Sequence, residues 1–396
     1  MVQGELSMSA HWFRPPADQP LPTLELFAGC GAMAYGLRQA GLNIVRMVEA
    51  SSRAVATVNQ NLEAAFPELA NSAVEAEDVR KADFAKDADK VRVITGGPPC
   101  EFSSGGGKHG GRADPRNMWP DTVRAVGEIG PEAFLFENVK GMTEQRTGNY
   151  AEEVCRLLAE PRPGLRYHVE LFSFNTADYG AAQIRKRIFI AGFRTDLFAS
   201  APPFPRPTHS REALLYDKWV TGAYWRRHGI EPPAPTEKDL HWRDKLMLAP
   251  PPHKPHRTIR DAIAGLGEPN GENSHVLNTK RKSAFYDGHE GSDIDFPAKA
   301  LKCGAIGHGV SGGENAIRFP DGTGRQMTVR EAARLQGLPD SYVIPHKESE
   351  SMLQLGNGLP VEVAEFFGRW LVNQCRLREA TEGEVVLSSA EAAQLR

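Results

Sequence analysis

The sequence predicts an α/β fold, in which a Rossmann-like, doubly wound and mostly parallel sheet is joined to a second, smaller, loop-rich domain. Strand-like and helix-like segments alternate through the first half of the chain, the pattern of a parallel sheet covered by helices. From residue 202 the pattern changes, because the proline-rich stretches APPFPRPTHS, EPPAPTEKD and APPPHKPHR interrupt a segment with little regular periodicity. Ligands of doubly wound sheets bind beyond the carboxyl ends of the strands, so a functional site is predicted at that edge.

Six short apolar runs are the predicted strands. In chain order they are TLELF (23–27), IVRMV (44–48), VRVIT (91–95), AFLFEN (133–138), RYHVELFSF (166–174) and RIFIAGF (187–193). Helical patterning resumes at residue 328 with TVREAARLQGL and later PVEVAEFFGRWLVNQCR. The predicted divisions are a poorly ordered lead-in (1–22), a first domain (23–200), the loop-rich domain (201–325), a return to the first domain (326–375) and a frayed polar tail (376–396).

Composition excludes several classes of protein. No apolar run reaches the roughly 18 residues of a membrane span, and the N-terminus has no signal-peptide pattern. Five dispersed cysteines without metal-ligand spacing predict a reducing compartment, no structural zinc and no metal. The net charge of −3 gives no sign of a polyanionic partner. Residues 206–260, however, carry eleven lysines and arginines against six acids, which suits either a solvated surface or a local nucleic-acid-binding face.

A glycine-rich turn, LELFAGCGAMAYG, follows the first predicted strand and opens a helix. Gly29 and Gly31 allow a tight turn and the close approach of a ligand to the backbone. Glu49 ends the next strand, where an acid binds ribose hydroxyls. Taken alone, the turn predicts a nucleoside-cofactor site for either NAD or S-adenosylmethionine, with a simple packing turn as the alternative.

Cys100 lies in VITGGPPCEFSSGGGKHGG, directly after a predicted strand. A single cysteine is usually a small buried hydrophobe. Here Pro98 and Pro99 fix the backbone, so we expect the thiol to be presented to a ligand. The glycine-rich stretch that follows suits a mobile lid. It is not a phosphate-binding P-loop, because Phe102 stands where that motif needs glycine and no Ser or Thr follows Lys108.

A presented thiol needs an acid–base partner. Glu137, in FLFENVKGM, ends the next strand-like run at the same edge, although acids at strand ends are also common surface features. Arg185 and Arg187 stand two residues apart in AAQIRKRIFIAGF, so they are predicted to point to one side of a strand. Beside a nucleophilic cysteine and a glutamate, they would form a corner that binds an anion or a carbonyl.

Taken together in this order, the motifs FAGCG, GGPPC, FENV, QIRKR, RQMTVREAARLQGLPD and QLGNGLPVEV resemble those of the DNA (cytosine-5)-methyltransferases of bacterial and phage type. They cover residues 23 to about 195 and about 318 to 370. The resemblance implies the S-adenosylmethionine-dependent methyltransferase fold and a target-recognition domain in the variable segment. It also implies sequence-specific methylation of cytosine in double-stranded DNA.

The resemblance implies a catalytic role for each residue of the strand-end cluster. Cys100 would attack carbon 6 of a flipped-out cytosine while Glu137 protonates or hydrogen-bonds ring nitrogen N3. Carbon 5 would then take the methyl group. Arg187 would hold the base carbonyl and orient Glu137, Arg185 would lie nearby, and Asn138 would support the loop.

The resemblance also implies the cofactor and DNA contacts. S-adenosylmethionine would be bound by Phe27, Ala28, Gly29, Cys30, Gly31, Glu49, Ala50, Asp78, Val79, Pro99, Trp119 and Asn357. DNA would be contacted by Ser104, Lys108, Arg116, Gln183 and Arg257. Glu101 and Ser103 depart from the residues usual at their positions, which puts the detailed contacts of that loop in question.

Rival readings remain within and outside this family. An RNA cytosine-5 methyltransferase would keep the reaction and change the substrate, and a catalytically inactive DNA-binding regulator would keep only the fold. An NAD-dependent oxidoreductase explains neither Cys100 nor the C-terminal motifs. We expect a monomeric enzyme of the bacterial cytoplasm with no obligate protein partner, serving as the modification enzyme of a restriction–modification system.

Overall fold

A computed structural model describes residues 21–71, 73–99, 116–144, 149–269, 271–277, 291–302 and 315–394, with the backbone alone from residue 380 onward. Cys100, Ser104 and Lys108 lie outside the described residues, as does the lead-in up to residue 20. None of the described helices is long and apolar enough to span a membrane.

A six-stranded sheet forms the centre of the first domain. Its strands are β1 (Leu21–Leu26), β2 (Leu42–Val48), β3 (Val93–Gly96), β4 (Ala133–Val139), β5 (Tyr167–Asn175) and, after the two-residue β6 (Gln183–Ile184), β7 (Lys186–Arg194). The strand order is β2-β1-β3-β4-β7-β5, in which β7 runs antiparallel to both of its neighbours and the other pairs are parallel. The predicted mostly parallel α/β sheet is confirmed. Its first strand begins two residues earlier than predicted, because buried Leu21 already pairs with Leu42.

Helices cover both faces of the sheet. Those of the first half are α1 (Ala32–Gln39), α2 (Ser52–Gln60), α3 (Leu62–Ala65), α4 (Trp119–Ile129) and α5 (Tyr150–Ala159). The core on one face includes α4 and α5, and the core on the other includes α1. Strands β3 and β4 are apolar runs because both of their faces are buried, as is typical of parallel sheets.

The second domain contains more helix than its proline content predicts. Its elements are β8 (His209–Ser210), α6 (Arg211–Trp219), α7 (Ala223–His228), α8 (Glu237–Met247), β9 (Lys254–Pro255), α9 (Ile259–Ile263), β10 (Ser292–Asp293), β11 (Ala298–Lys299), β12 (Ala316–Arg318) and β13 (Gly324–Gln326). Tyr224 and Trp225, which the sequence shows only as recurring aromatic residues, form a small core with Leu214.

The C-terminal segment packs on the first domain. It forms α10 (Val329–Leu335), α11 (Glu348–Asn357) and α12 (Val361–Gln394). Gly36 lets α1 approach α12 closely, since a Cβ at Gly36 would lie 2.4 Å from the carbonyl oxygen of Val361.

The predicted frayed tail is instead part of α12, whose backbone stays helical to Gln394. Its beginning is held to the sheet by ion pairs, since Arg378 binds Glu132 at 3.1 Å and Glu379 binds Arg92. These charges read as solvent-exposed polar residues in the sequence, because their partners are distant in the chain.

Candidate active site

The centre of the candidate site is an ion pair between Glu137 and Arg187. Glu137 is near the carboxyl end of β4, and Arg187 is near the start of the antiparallel β7, so the ladder brings them together. The distance from Arg187 Nε to Glu137 Oε1 is 2.5 Å. Both side chains are mostly buried, with 14% and 13% of their surface exposed. The guanidinium therefore fixes the orientation of this carboxyl in a partly water-excluded place.

The backbone that leads to Cys100 contacts the same corner. Asn138, which is 2% exposed, donates from Nδ2 to the carbonyl oxygen of Pro98 at 2.9 Å. A Cβ at Gly97 would lie 3.4 Å from Glu137 Oε2, so the carboxyl lies against this loop. The contact of Asn138 fits its predicted role in supporting the loop. The position of Cys100 itself is outside the described residues.

Arg185 differs from its predicted arrangement. Its side chain is 5% exposed and donates from Nη2 to the carbonyl oxygen of Gly356 at 2.6 Å. Arg187 binds Glu137, so these two contacts of the arginines go to different partners. Arg185 stands between β6 and β7 rather than inside one strand, which frees it from strand alternation. This hydrogen bond anchors the C-terminal end of α11, where Asn357 lies.

The glycine turn after β1 is built around Glu49. The carboxylate of Glu49 accepts the backbone N–H of Gly29 at 2.8 Å and that of Ser51 at 2.7 Å, so it links the turn to the start of α2. Gly31 has φ of 79°, and a Cβ there would lie 2.9 Å from the Tyr342 hydroxyl. Glycine is therefore required at Gly31 both by its conformation and by the close approach.

The residues predicted around the cofactor divide into exposed and buried groups. Phe27 and Asp78 are partly exposed, and Ala50 and Asn357 are exposed. The backbone N–H of Glu77 donates to the carbonyl oxygen of Glu49 at 2.8 Å, which places the segment with Asp78 beside the turn. Hydrogen bonds from Arg80 hold the pKa of Asp78 down, at about 2. Buried Ala28, Cys30 and Val79 are placed to contribute backbone more than side chain.

Trp119 does not line an open pocket. Its side chain is completely buried at the start of α4, where it packs edge-on against Phe136 with ring centroids 6.0 Å apart. Among the described residues its indole Nε1 has no hydrogen-bond partner. The predicted cofactor contact of Trp119 is therefore corrected to a place in the core behind the site, because the large ring fills the space between α4 and the sheet.

The family assignment is decided by comparison with known proteins. The family model described as C-5 cytosine-specific DNA methylase matches residues 21–373. The chain belongs to this family. Type II methyltransferase M.NgoPII of Neisseria gonorrhoeae is 28% identical over 356 residues, which cover 88% of this chain and 95% of that protein. Type II methyltransferase M.HpaII of Haemophilus parainfluenzae is 27% identical over 377 residues, covering 91% of each chain. The predicted DNA cytosine-5 methyltransferase is confirmed.

Solved structures show the same fold at lower identity. A putative DNA modification methyltransferase encoded in an Escherichia coli prophage superposes with a TM-score of 0.57 at 21% identity, covering 89% of this chain and 99% of that one. The S. pombe Dnmt2 methyltransferase gives a TM-score of 0.55 at 18% identity, covering 90% and 99%. The methyltransferase fold predicted from the sequence is therefore confirmed.

Two residues of the methyltransferase support the candidate site and were not predicted from the sequence: Gln336 beside Asn357, and Tyr342 beside the glycine turn. Gln336 donates from Nε2 to the carbonyl oxygens of Leu355 and Gly358, on either side of Asn357. The Tyr342 hydroxyl donates to the carbonyl oxygen of Cys30 at 2.6 Å. Gln336 lies within the motif RQMTVREAARLQGLPD, so the sequence does point to this segment. The hydrogen-bond partners of Gln336 and Tyr342 could not be predicted from it.

The residues predicted to contact DNA differ in how far the methyltransferase exposes them. Gln183 is completely buried, where it accepts the backbone N–H of Leu301 at 3.4 Å, so in this structure it is a contact between domains and not a surface that reads DNA. Arg257 is paired with Glu362 of α12 at 2.5 Å and keeps 38% of its side chain exposed. Arg116 is exposed, while Ser104 and Lys108 lie outside the described residues. Among the described residues no cluster of three or more His, Cys, Asp or Glu side chains could hold a metal ion.

Proposed function

We propose that this enzyme methylates carbon 5 of a cytosine flipped out of double-stranded DNA, through a covalent bond between the Cys100 sulfur and carbon 6. The Glu137–Arg187 ion pair supports this proposal most strongly, because it lies against the loop that ends in Cys100. A base in that corner would meet the Glu137 carboxyl beside the loop that leads to Cys100.

The chain's own residues divide the chemistry. Attack of the Cys100 thiolate on carbon 6 places electron density at carbon 5, and Glu137 neutralises the ring by a proton or hydrogen bond at N3. Arg187 keeps the Glu137 carboxyl in place and holds the base carbonyl O2. After methylation, loss of the proton on carbon 5 and release of the Cys100 sulfur restore the aromatic ring.

We propose S-adenosylmethionine as the methyl donor; when bound, it supplies an electrophilic methyl group on a sulfonium sulfur. The described residues fit this group. Among the described residues, none apart from the two chain neighbours of Gly29 lies within 4 Å of a Cβ built there, which supports open space beside the turn. The Glu49 carboxylate accepts hydrogen bonds from two backbone N–H groups at this turn, which supports the role that we propose for it in binding ribose hydroxyls. Phe27, at φ of 57°, is held in an unusual conformation at the same place.

The Glu49→Ala variant is expected to bind S-adenosylhomocysteine roughly 10- to 100-fold more weakly, because hydrogen bonds to a charged group contribute about 1.5–3 kcal/mol. Isothermal titration calorimetry measures this without catalysis. The control is Glu68→Ala, which removes a surface carboxylate paired with Arg38 outside the site. Equal affinities of the Glu49 and Glu68 variants would remove Glu49 from the cofactor site.

Duplex DNA is the substrate that we propose, because the family acts on DNA and a base inside a duplex is out of reach of Cys100. The second domain would read base edges, with its basic residues supplying salt-dependent affinity for phosphates. A role as the modification enzyme of a restriction–modification system is supported by relatives that are named Type II methyltransferases. We further propose a monomer that acts in the bacterial cytoplasm.

The direct test incubates purified protein with labelled S-adenosylmethionine and unmethylated duplex DNA, followed by mass spectrometry of the nucleosides. We expect 5-methylcytosine from the wild type and none from Cys100→Ala. The matched control is Cys155→Ala, which removes a half-buried thiol on α5, away from the sheet edge, and is expected to stay active. Methylation of RNA alone would favour the RNA enzyme, and binding of DNA without methylation would favour an inactive regulator.

A further inference from the structure

Glu25 is a buried carboxyl that the proposed chemistry does not use. It lies in β1, two residues before Phe27, and is 1% exposed. Its register partner in the parallel strand β3 is Thr95, which is completely buried. The Thr95 hydroxyl donates a hydrogen bond to Glu25 Oε2. This contact therefore joins β1 to β3. Strand β1 leads into the glycine turn (residues 27–31), here called the cofactor turn, and β3 leads into residues 97–99 before Cys100, here called the Cys100 loop.

The two strands remain close at the next residue pair. Gly96 is opposite Leu26, and a Cβ at Gly96 would lie 2.3 Å from the carbonyl oxygen of Leu26. Past this point the chains diverge into the two loops. Glu25 and Thr95 thus form the side-chain contact between β1 and β3 that lies next to the loops. The distance between these two residues therefore influences the distance between the starts of the two loops.

Burial sets the protonation state of Glu25. It raises the pKa of this carboxyl from 4.5 to about 8, against a smaller lowering by the Thr95 hydroxyl. The acid is consequently neutral near pH 7 and ionises as the pH rises through about 8. Ionisation would leave a full negative charge in an apolar layer, which is costly unless the layer opens to water.

Other charged groups on this face have their own partners. Glu25 points to the side of the sheet whose core contains Met47, Leu135 and residues of α1 and α12. The charged side chains of those two helices include the pairs Arg38–Glu68, Glu362–Arg257 and Glu365–Arg369 and, further along α12, Arg378–Glu132 and Glu379–Arg92. The nearby thiol of Cys30 is kept neutral, since burial raises its pKa to about 11. None of these groups contributes to the shift at Glu25.

We propose that Glu25 is a positioning residue: in its neutral form it bridges β1 and β3 through Thr95 and thereby fixes the cofactor turn relative to the Cys100 loop. The inference rests on the proposed function, because methyl transfer requires the donor and the Cys100 adduct to be held at one separation. Ionisation of Glu25 loosens the bridge, so methyl transfer slows in alkaline solution even though the Cys100 thiolate becomes more abundant.

Two variants and one control test this positioning role. Glu25→Gln keeps the shape and cannot ionise, and Thr95→Val removes the hydroxyl at nearly constant volume. The matched control is Thr23→Val, which removes another completely buried hydroxyl from β1, one that donates to the carbonyl oxygen of Leu21. For each protein, kcat and the KM values for DNA and S-adenosylmethionine are measured from pH 6.5 to 9.5, together with the thermal midpoint.

We expect the wild-type kcat to fall as the pH rises through about 8 and to level off at roughly a tenth of its neutral value, because ionisation loosens the bridge that Thr95→Val removes. The Glu25→Gln kcat should lack that fall. Thr95→Val should lower kcat at pH 7 about tenfold with KM little changed, while Thr23→Val lowers only the thermal midpoint. Stability should respond as well. Folded Glu25 keeps a proton that the unfolded chain loses above pH 4.5, so wild-type stability declines between pH 4.5 and 8 and the Gln variant lacks that decline.

The same alkaline fall in Glu25→Gln as in the wild type, or equal kcat values for the two threonine variants, would overturn the inference. Either result leaves the proposed function intact, because the wild type still methylates DNA. Absence of methylation by the wild type at every pH would instead reject the proposed function.

Discussion

Replacing Glu137 by glutamine is expected to lower kcat for cytosine methylation about 10²- to 10⁴-fold, the usual contribution of a positioned acid–base group. The amide retains the size of the carboxyl but cannot protonate N3, and it loses the ion pair with Arg187. Single-turnover rates with saturating DNA and methyl donor report this effect on the chemical step.

Binding measurements separate this catalytic loss from a damaged site. The affinity of Glu137→Gln for S-adenosylhomocysteine should match the wild type, because Glu137 lies beside Gly97 and Arg187 and not at the Glu49 turn. Glu170→Gln, on the exposed part of β5, is the control that should leave the rate unchanged. A single-turnover rate of Glu137→Gln within threefold of the wild type would contradict the assigned role.

The substitution Gly192→Ala, which adds one methyl group, is expected to lower the free energy of unfolding strongly. Gly192 is in β7 opposite Phe134, and a Cβ there would lie 2.0 Å from Cζ of that ring. Phe134 cannot move aside easily, because it is completely buried and stacked on Phe136 with centroids 5.2 Å apart. Gly192→Ala should therefore lower the free energy of unfolding by about 3 kcal/mol or more, at the upper end for overpacked cores.

Urea denaturation measures this loss, and a second substitution tests its cause. Phe134→Leu in the Gly192→Ala background removes the part of the ring that clashes, so the double variant should be more stable than the Gly192→Ala protein. Such a positive coupling is the signature of two residues in direct contact. A Gly192→Ala variant as stable as the wild type would contradict the close contact between Gly192 of β7 and Phe134 of β4.

Local patterns predicted the parts of the fold and site that depend on neighbours in sequence. The glycine turn, Glu49 and Glu137 all lie at strand ends, and the alternation of strands and helices placed those ends on one edge. The helices α8 and α9 were missed although Thr236 and Thr258 begin them with capping boxes. The proline-rich stretches around these capping boxes led to the prediction of a loop-rich segment instead.

Side-chain partners far apart in the chain could not be predicted. Arg185 reaches Gly356, and Gln183 reaches Leu301. Nothing in the local sequence distinguishes such buried polar contacts from exposed ones that would bind DNA. Trp119 was misplaced for the same reason, since only the packing of α4 on β4 shows that its ring is enclosed.

The central claim is the covalent bond between Cys100 and carbon 6 of cytosine, and trapping measures it most directly. Duplex DNA that carries 5-fluorocytosine at the methylated position has no proton to lose from carbon 5, so the adduct should persist after methyl transfer. We expect a denaturation-resistant protein–DNA complex whose digestion gives a peptide with the modified nucleotide on Cys100, and no complex from Cys100→Ala. Active wild-type enzyme that forms no adduct, or an adduct on another residue, would contradict the account.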